Sequence, residues 1–253
     1  MSEQKHNSTL SSLLRIASSW PIDSEYTFER ATVAHAREVA AYHSRNEEHL
    51  RPWDLSWNHA RTEVEWQSQQ LEASNLAWIE AVKKGTQART LSLHLAWAWI
   101  IRRQTHVSSA RSPTDIHPTD SPSMPVLGWV EWILRAQPPD DGLTINLSYS
   151  IDQEHQGRGV MLKALSSSLI VLEASLPNAR MLANVREDNK RSRALLSRLE
   201  FEDQGVDQSF PASHANGHWL RHHHYIRHFR PVSDDAGAQE TPPTNTRQPQ
   251  RPM

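Results

Sequence analysis

Nine consecutive residues, Val126–Leu134, are apolar on both faces of an extended chain. Val126, Val130, Trp132 and Leu134 fall on one side and Leu127, Trp129 and Ile133 on the other. A strand of that kind has to be covered on both sides. An antiparallel meander with one wet face would not provide this, so helices are expected above and below the sheet. Flanking segments agree. Leu91 to Ile101 alternates with period two, as does Leu143–Ile151, and Tyr26–Arg30 and Met181–Val185 are shorter strand candidates. Helical spacing runs after Thr32 through Val33, Ala36, Val39, Ala40 and His43, then over 60–84. A third helix carries Leu165, Leu169, Leu172 and Leu176 and stops at Pro177. A fourth opens near Asp188 or Asn189 and runs to Leu199, and Trp219–Phe229 reads as the last strand. The predicted fold class is α/β, a single mixed sheet with helices on both faces.

Composition marks what lies outside that sheet. The chain has 253 residues, of which 37% are hydrophobic, below the usual ~45–50%. Residues 104–125 hold four prolines and five serines, and 231–253 offers almost nothing to bury. Both are expected to be disordered, the first as an internal loop. The predicted organisation is an N-terminal extension over 1–25, a folded domain over 26–230 and a C-terminal tail over 231–253. The formal net charge of −2 argues against a dedicated nucleic-acid binder. No apolar run reaches the ~20 residues of a membrane span, and the N-terminus lacks a secretory pattern. With no cysteine, disulfides, thiolate metal sites and a cysteine nucleophile are excluded. A cytoplasmic location is expected, as a monomer or homodimer without membrane contact.

Only eight glycines occur, and two of them stand in Gln156–Met161 (QGRGVM), directly between a strand and a helix. Glycine lets main-chain N–H groups approach a ligand closely. The helix N-terminus adds about half a positive charge, and Arg158 adds a formal one. That is an anion site suited to a pyrophosphate. The dinucleotide fingerprint is not met, because Leu162 stands where its third glycine belongs.

Taken together, several motifs resemble the GNAT superfamily of N-acetyltransferases, in its ribosomal-protein N-terminal acetyltransferase (RimJ/RimL-type) branch. They are Asp152 through Gly159 after a strand; Asn189 and Ser192 followed by Leu199–Phe201; His49–Trp53 (HLRPW) upstream; and Gly217–Trp219 before the last strand. The resemblance implies a GNAT-like acyl-CoA N-acyltransferase fold and acetyl-CoA, the acetyl donor, bound in a V-shaped opening between two central strands. It places the pyrophosphate on Gln156, Gly157, Arg158, Gly159, Val160 and Met161, the pantetheine arm along the strand containing Ser150 and Ile151, and coenzyme contacts at Asn189 and Ser192. Four positions depart from the pattern: Met161 for a small residue, Glu200 for the glycine of Leu-Gly-Phe, Asn146 for a strand glutamate, and Arg221 for an aspartate.

Without cysteine, direct attack of a neutral amine on the thioester is the expected route. An α-amine, with pKa about 7.7–8.0, is roughly 2.5 units easier to deprotonate than lysine, about 3.4 kcal/mol. Losing the strand glutamate is therefore easier to tolerate with an N-terminal α-amine acceptor. The expected acceptor is a protein or peptide N-terminus, of ribosomal-protein type. The alternatives are a small-molecule amine acceptor or a catalytically silent acyl-CoA sensor. Glu131, in an otherwise apolar run, is the carboxylate base candidate. Ser148 and Asn146 share a strand face and complete the catalytic set. Arg51 and Trp53 are the substrate-binding candidates. Leu196 stands where many superfamily members carry an acid tyrosine. His222 and His224 share a strand face, but no carboxylate or cysteine nearby completes a metal site, and none is expected.

Overall fold

The structure is a computed structural model and describes residues 16–54, 57–84, 95–104, 124–136, 143–215 and 218–230. Of the loop expected to be disordered over 104–125, residues 105–123 lie outside the described residues, as do the tail 231–253 and residues 1–15. Eight strands form one sheet: β1 (Ser19–Pro21), β2 (Tyr26–Arg30), β3 (Leu95–Arg103), β4 (Gly128–Ala136), β5 (Leu143–Ile151), β6 (Arg180–Arg186), β7 (Glu202–Val206) and β10 (His222–His228). A separate pair, β8 (Ser213–Ala215) and β9 (His218–Leu220), makes a small hairpin. The sheet order is β1-β2-β3-β4-β5-β6-β10-β7, with β5 and β6 parallel and the other neighbours antiparallel. Among the described residues, four α-helices accompany it: α1 (Ala36–Leu50), α2 (Val64–Lys84), α3 (Val160–Ser175) and α4 (Lys190–Arg198).

β4 is central, as its two apolar faces require. Val130, Trp132 and Leu134 join the cluster under α3 and α4, with Leu165, Leu169, Leu172, Leu196 and Leu199. There Trp99 stacks on Phe28 at 5.1 Å and meets Trp132 at 5.0 Å. The other sheet face, with Ala98, Ile100 and Trp129, is covered by Val39, Tyr42 and Leu71 of α1 and α2.

Three short strands, β1, β7 and β8, escape the periodicity reading. β1 lies ahead of the expected start at Tyr26 and is too short to show alternation. Trp20 fixes it, packing on Phe28 and Trp99 and donating from Nε1 to Ser167 Oγ at 3.2 Å. β7 (EDQGV) is an edge strand without a buried residue, so it carries no apolar signal. The expected last strand over Trp219–Phe229 is interrupted at Arg221, its first part belonging to the β8–β9 hairpin.

The departure at Glu200 has a backbone consequence. α4 ends in a Schellman motif: Phe201 N–H bonds the Leu196 carbonyl at 3.0 Å and Glu200 N–H that of Ser197 at 3.1 Å. The motif forces φ of 60° at Glu200, a left-handed conformation that favours glycine. Its carboxylate ion-pairs with Arg227 at 3.1 Å, but it is largely exposed and so contributes little. Glu200→Gly is therefore expected to stabilise the fold by about 1 kcal/mol. Urea denaturation checks this, and a destabilised variant would show that the ion pair outweighs the strain.

Candidate active site

β5 and β6 pair only at Thr144–Arg180, Ile145–Met181 and Asn146–Leu182. Beyond that point they part. β5 stays on β4 as far as Ile151–Gly128, and β6 stays on β10 as far as Arg186–His222. The result is a V-shaped opening with Asn146 at its apex. This is the geometry the resemblance implied.

The glycine turn closes the β5 side of the opening. Gly157 and Gly159 have φ of 73° and 75°, and Gly159 is the N-cap of α3. A Cβ at either position would meet no protein atom within 4 Å. The glycines are therefore required for backbone conformation, and the space beside them is open to a ligand. Among the described residues, no backbone carbonyl accepts from the N–H groups of Gly157 through Val160. These donors stand at the positive end of a sixteen-residue helix. Arg158 is exposed beside them, and Val160 and Met161 are buried in the core beneath. Met161, a departure from the family pattern, thus fills core volume. The donor set suits a pyrophosphate.

α1 holds this turn in place. Asp152 is buried and accepts from Arg45 Nε at 2.7 Å, Asn46 Nδ2 at 3.4 Å and Glu154 N–H at 3.1 Å. Asn46 Oδ1 accepts from Gln153 N–H at 3.1 Å. Tyr42 and Ser150 hydroxyls bond at 2.8 Å, and His49 Nε2 lies 2.6 Å from Gln156 Nε2. The amide nitrogen can only donate, so His49 Nε2 accepts the hydrogen bond and the imidazole is neutral. Burial, aided by Arg191, lowers the His49 pKa, against the pull of a bond to the Ile151 carbonyl. Gln156 Oε1 in turn accepts from Arg191 of α4, linking the two sides of the opening. Tyr42, Arg45, Asn46 and His49 follow helical i, i+3, i+4, i+7 spacing. The sequence reading missed this polar stripe, because polar residues at that spacing read as a solvent face.

On the β6 side, Asn189 caps α4, its Oδ1 accepting from Ser192 N–H at 3.1 Å. The Nδ2 donor is what remains for a ligand. Ser192 Oγ bonds the Tyr149 hydroxyl, so Tyr149 faces α4 while Ser148 and Ser150 face α1.

Glu131, Asn146 and Ser148 share the α1 face. Glu131 stands directly opposite Ser148, and Ser148 is exposed. Burial pushes the Glu131 carboxyl above the usual range; Arg61 draws it back and Asp54 adds to the rise. Arg61 and Asp54 are themselves an ion pair at 3.3 Å. His43 lies near, its ring edge-on to Trp57 at 5.8 Å and Trp129 at 5.9 Å. Burial, with Arg61, lowers its pKa to about 4, so it is neutral near pH 7. Neither His43 nor the Asp54–Arg61 pair was picked out as a site feature from sequence. Arg51 is exposed, and Trp53 is 42% exposed beside it. Leu196 is fully buried in the core and offers no acid.

The late histidines go elsewhere. His222 packs on Phe210 at 4.7 Å, His223 bonds Asp203 at 2.9 Å and His224 bonds Asn184 at 2.9 Å. Among the described residues, no three metal-ligating side chains gather, and no helix is long and apolar enough to cross a membrane.

Residues 26–202 match the family described as Acetyltransferase (GNAT) domain. The chain belongs to the GNAT acetyltransferase family. It is similar to the [Ribosomal protein uS5]-alanine N-acetyltransferase of Escherichia coli (strain K12), with 37% identity over 76 residues. That alignment takes in 30% of this chain and 38% of the relative. Among solved structures, the ribosomal-protein-S5-alanine acetyltransferase from Vibrio fischeri superposes with TM-score 0.62 at 22% identity, covering 87% of this chain and 98% of the other. The RimL ribosomal L7/L12 α-N-protein acetyltransferase in complex with coenzyme A gives 0.60 at 17%, covering 83% and 97%. These superpositions share the fold of this GNAT chain.

Asp152 generates a test of the anchored turn. Burial alone would raise its pKa, but Arg45, the Glu154 N–H and Asn46 outweigh burial and hold it below the usual value. Its contribution is complete above the unfolded pKa of about 3.9 and is lost as pH falls through the lower folded value. Asp152→Asn is expected to cost about 1–3 kcal/mol at pH 7, and the cost should shrink below about pH 4. Denaturation at pH 7 and pH 3 measures this. An equal loss at both would show that the charge is not what holds the turn.

Proposed function

We propose that this chain transfers the acetyl group of acetyl-CoA to the N-terminal α-amine of a protein, of the ribosomal-protein type. One observation carries the reading: the parting of β5 from β6 puts a glycine turn whose N–H donors have no carbonyl partner at one end of an opening whose β4–β5 wall carries a half-buried carboxylate. Acetyl-CoA supplies the thioester-activated acetyl group. Gln156, Gly157, Arg158, Gly159, Val160 and Met161 receive its pyrophosphate. The β5 main chain at Ser150 and Ile151 receives the pantetheine arm, since both side-chain hydroxyls nearby, Ser150 and Ser192, are engaged by tyrosines. Asn189 contributes its Nδ2 donor and Ser192 its place on α4. Arg51 and Trp53 line the acceptor's approach.

Glu131, whose carboxyl pKa burial pushes up, takes the amine proton, directly or through a water held at Ser148 and Asn146. An α-amine needs less help from such a base than a lysine does, which fits a site whose strand glutamate is replaced by Asn146. The named function of the ribosomal-protein relatives supports the same acceptor class.

Two measurements test this. Free-thiol release should occur with a peptide bearing a free N-terminus, and far more slowly with the same peptide N-blocked and carrying an internal lysine. Faster acetylation of the blocked peptide would assign lysine instead. Coenzyme binding with no thiol release from any amine would assign a silent sensor. Second, Glu131→Gln should lower the rate roughly 10²–10⁴-fold. A raised carboxyl pKa means the ionised form weakens the folded state as pH rises through that range. The Gln variant should therefore be at least as stable as the parent at pH 7, and an unchanged rate would remove Glu131 from the chemistry.

A further inference from the structure

Arg186 ends β6 and is buried, 7% exposed. A guanidinium out of water has to place its donors on partners. Nε and one terminal nitrogen grip the Asp188 carboxylate at 2.6 and 3.1 Å, and the other terminal nitrogen donates to the Pro52 carbonyl at 2.5 Å. Its Cζ lies over the Trp53 ring, 4.3 Å from the centroid. The side chain therefore joins two parts that are distant in sequence. One is the Asp188–Asn189 turn into α4, and the other is the segment leaving α1. Both lie at the open end of the β5–β6 opening.

The same segment is tied on the far side as well, where His49 meets Gln156 and Ile151. Residues 49–53 thus cross from the β5 side to the β6 side, with His49 and Arg186 as the two fastenings. Trp53 keeps much of its surface exposed although Arg186 lies on its ring. A lysine could hold one of these partners but not carboxylate, carbonyl and ring at once.

We infer that Arg186 is a positioning residue for the acceptor: its side chain fixes Pro52 and Trp53 across the mouth of the opening, so that acceptor binding depends on it, whereas coenzyme binding does not, because Asn189 is kept by its main-chain bond to the Arg186 carbonyl at 2.9 Å and by its own cap on Ser192. The inference rests on the acceptor reading of Trp53 above. Arg186 need not touch substrate; it acts through Trp53.

The test uses the full chain, acetyl-CoA and a free-N-terminus peptide. Arg186→Met should raise the acceptor KM about tenfold, with kcat and the coenzyme A dissociation constant within about twofold. In a Trp53→Ala background the same change should add less than about twofold, because the two act as one unit. Arg186→Lys should fall between the parent and Arg186→Met. If the Met variant does not fold, the Lys variant carries the same comparisons. Hydrogen exchange, which needs no acceptor, should show faster exchange at the Trp53 and Asp54 amides with α3 unchanged. An unchanged KM, a KM effect that multiplies with that of Trp53→Ala, or an equal loss of coenzyme affinity would each overturn the inference. Faster exchange with unchanged KM would also overturn it, by showing that the segment is held but does not bind the acceptor. A parent protein that acetylates no peptide would instead refute the acceptor reading itself.

Discussion

The site depends on one constraint: β5 and β6 are each committed to an outer neighbour for longer than they are to each other. β4 holds β5 over nine positions and β10 holds β6 over seven, while the parallel pair between them lasts for three. The gap is therefore imposed from both sides by antiparallel ladders, and neither strand can swing back to close it without breaking its own. Main-chain polar groups facing the gap need partners from somewhere. A ligand that carries amides and phosphates can supply them, which is the physical case for reading the gap as a coenzyme slot.

α1 makes the gap usable. Its apolar residues, Val39 among them, pack on the sheet, and its polar stripe of Tyr42, Arg45, Asn46 and His49 grips β5 and the turn that follows. One helix thus sets both the sheet's cover and the placement of the anion-binding donors. Its last turn then runs into the segment proposed for the acceptor. α1 thus touches both ends of the opening, while the Arg186 side chain holds only the segment proposed for the acceptor to the turn before α4. This arrangement suits a reaction in which both substrates must be held together before an amine can attack.

Much of this was legible in the sequence, for physical reasons that differ by element. β4 announced itself because burial on two faces demands apolar residues at every position, and β5 because one face is wet. The glycine turn stood out because positive φ and close approach leave little choice of residue. β7 was silent because an exposed edge strand needs no apolar alternation. The stripe on α1 was silent for the opposite reason: Arg45 and Asn46 serve a partner, Asp152, that lies more than a hundred residues away, and nothing local distinguishes them from solvated residues. Arg186 was silent too, because nothing in its local sequence marks an arginine at the end of a strand as buried. Only the fold shows it buried between Asp188 and Trp53. Glu131 could be picked out, since a lone carboxylate in an apolar strand has to be accounted for, but its neighbours Asp54, Arg61 and His43 come from other elements.

The claim at the centre of the account is that the glycine turn in the parted strands binds the coenzyme pyrophosphate. Calorimetric titration of coenzyme A into the parent and into a folded Gly159→Glu variant tests it most directly. A glutamate there would project a bulky, negatively charged side chain toward the open space beside the N–H donors, where the structure offers no competing protein atom. The account predicts binding by the parent and its abolition in the variant. Unchanged affinity in the folded variant would contradict it.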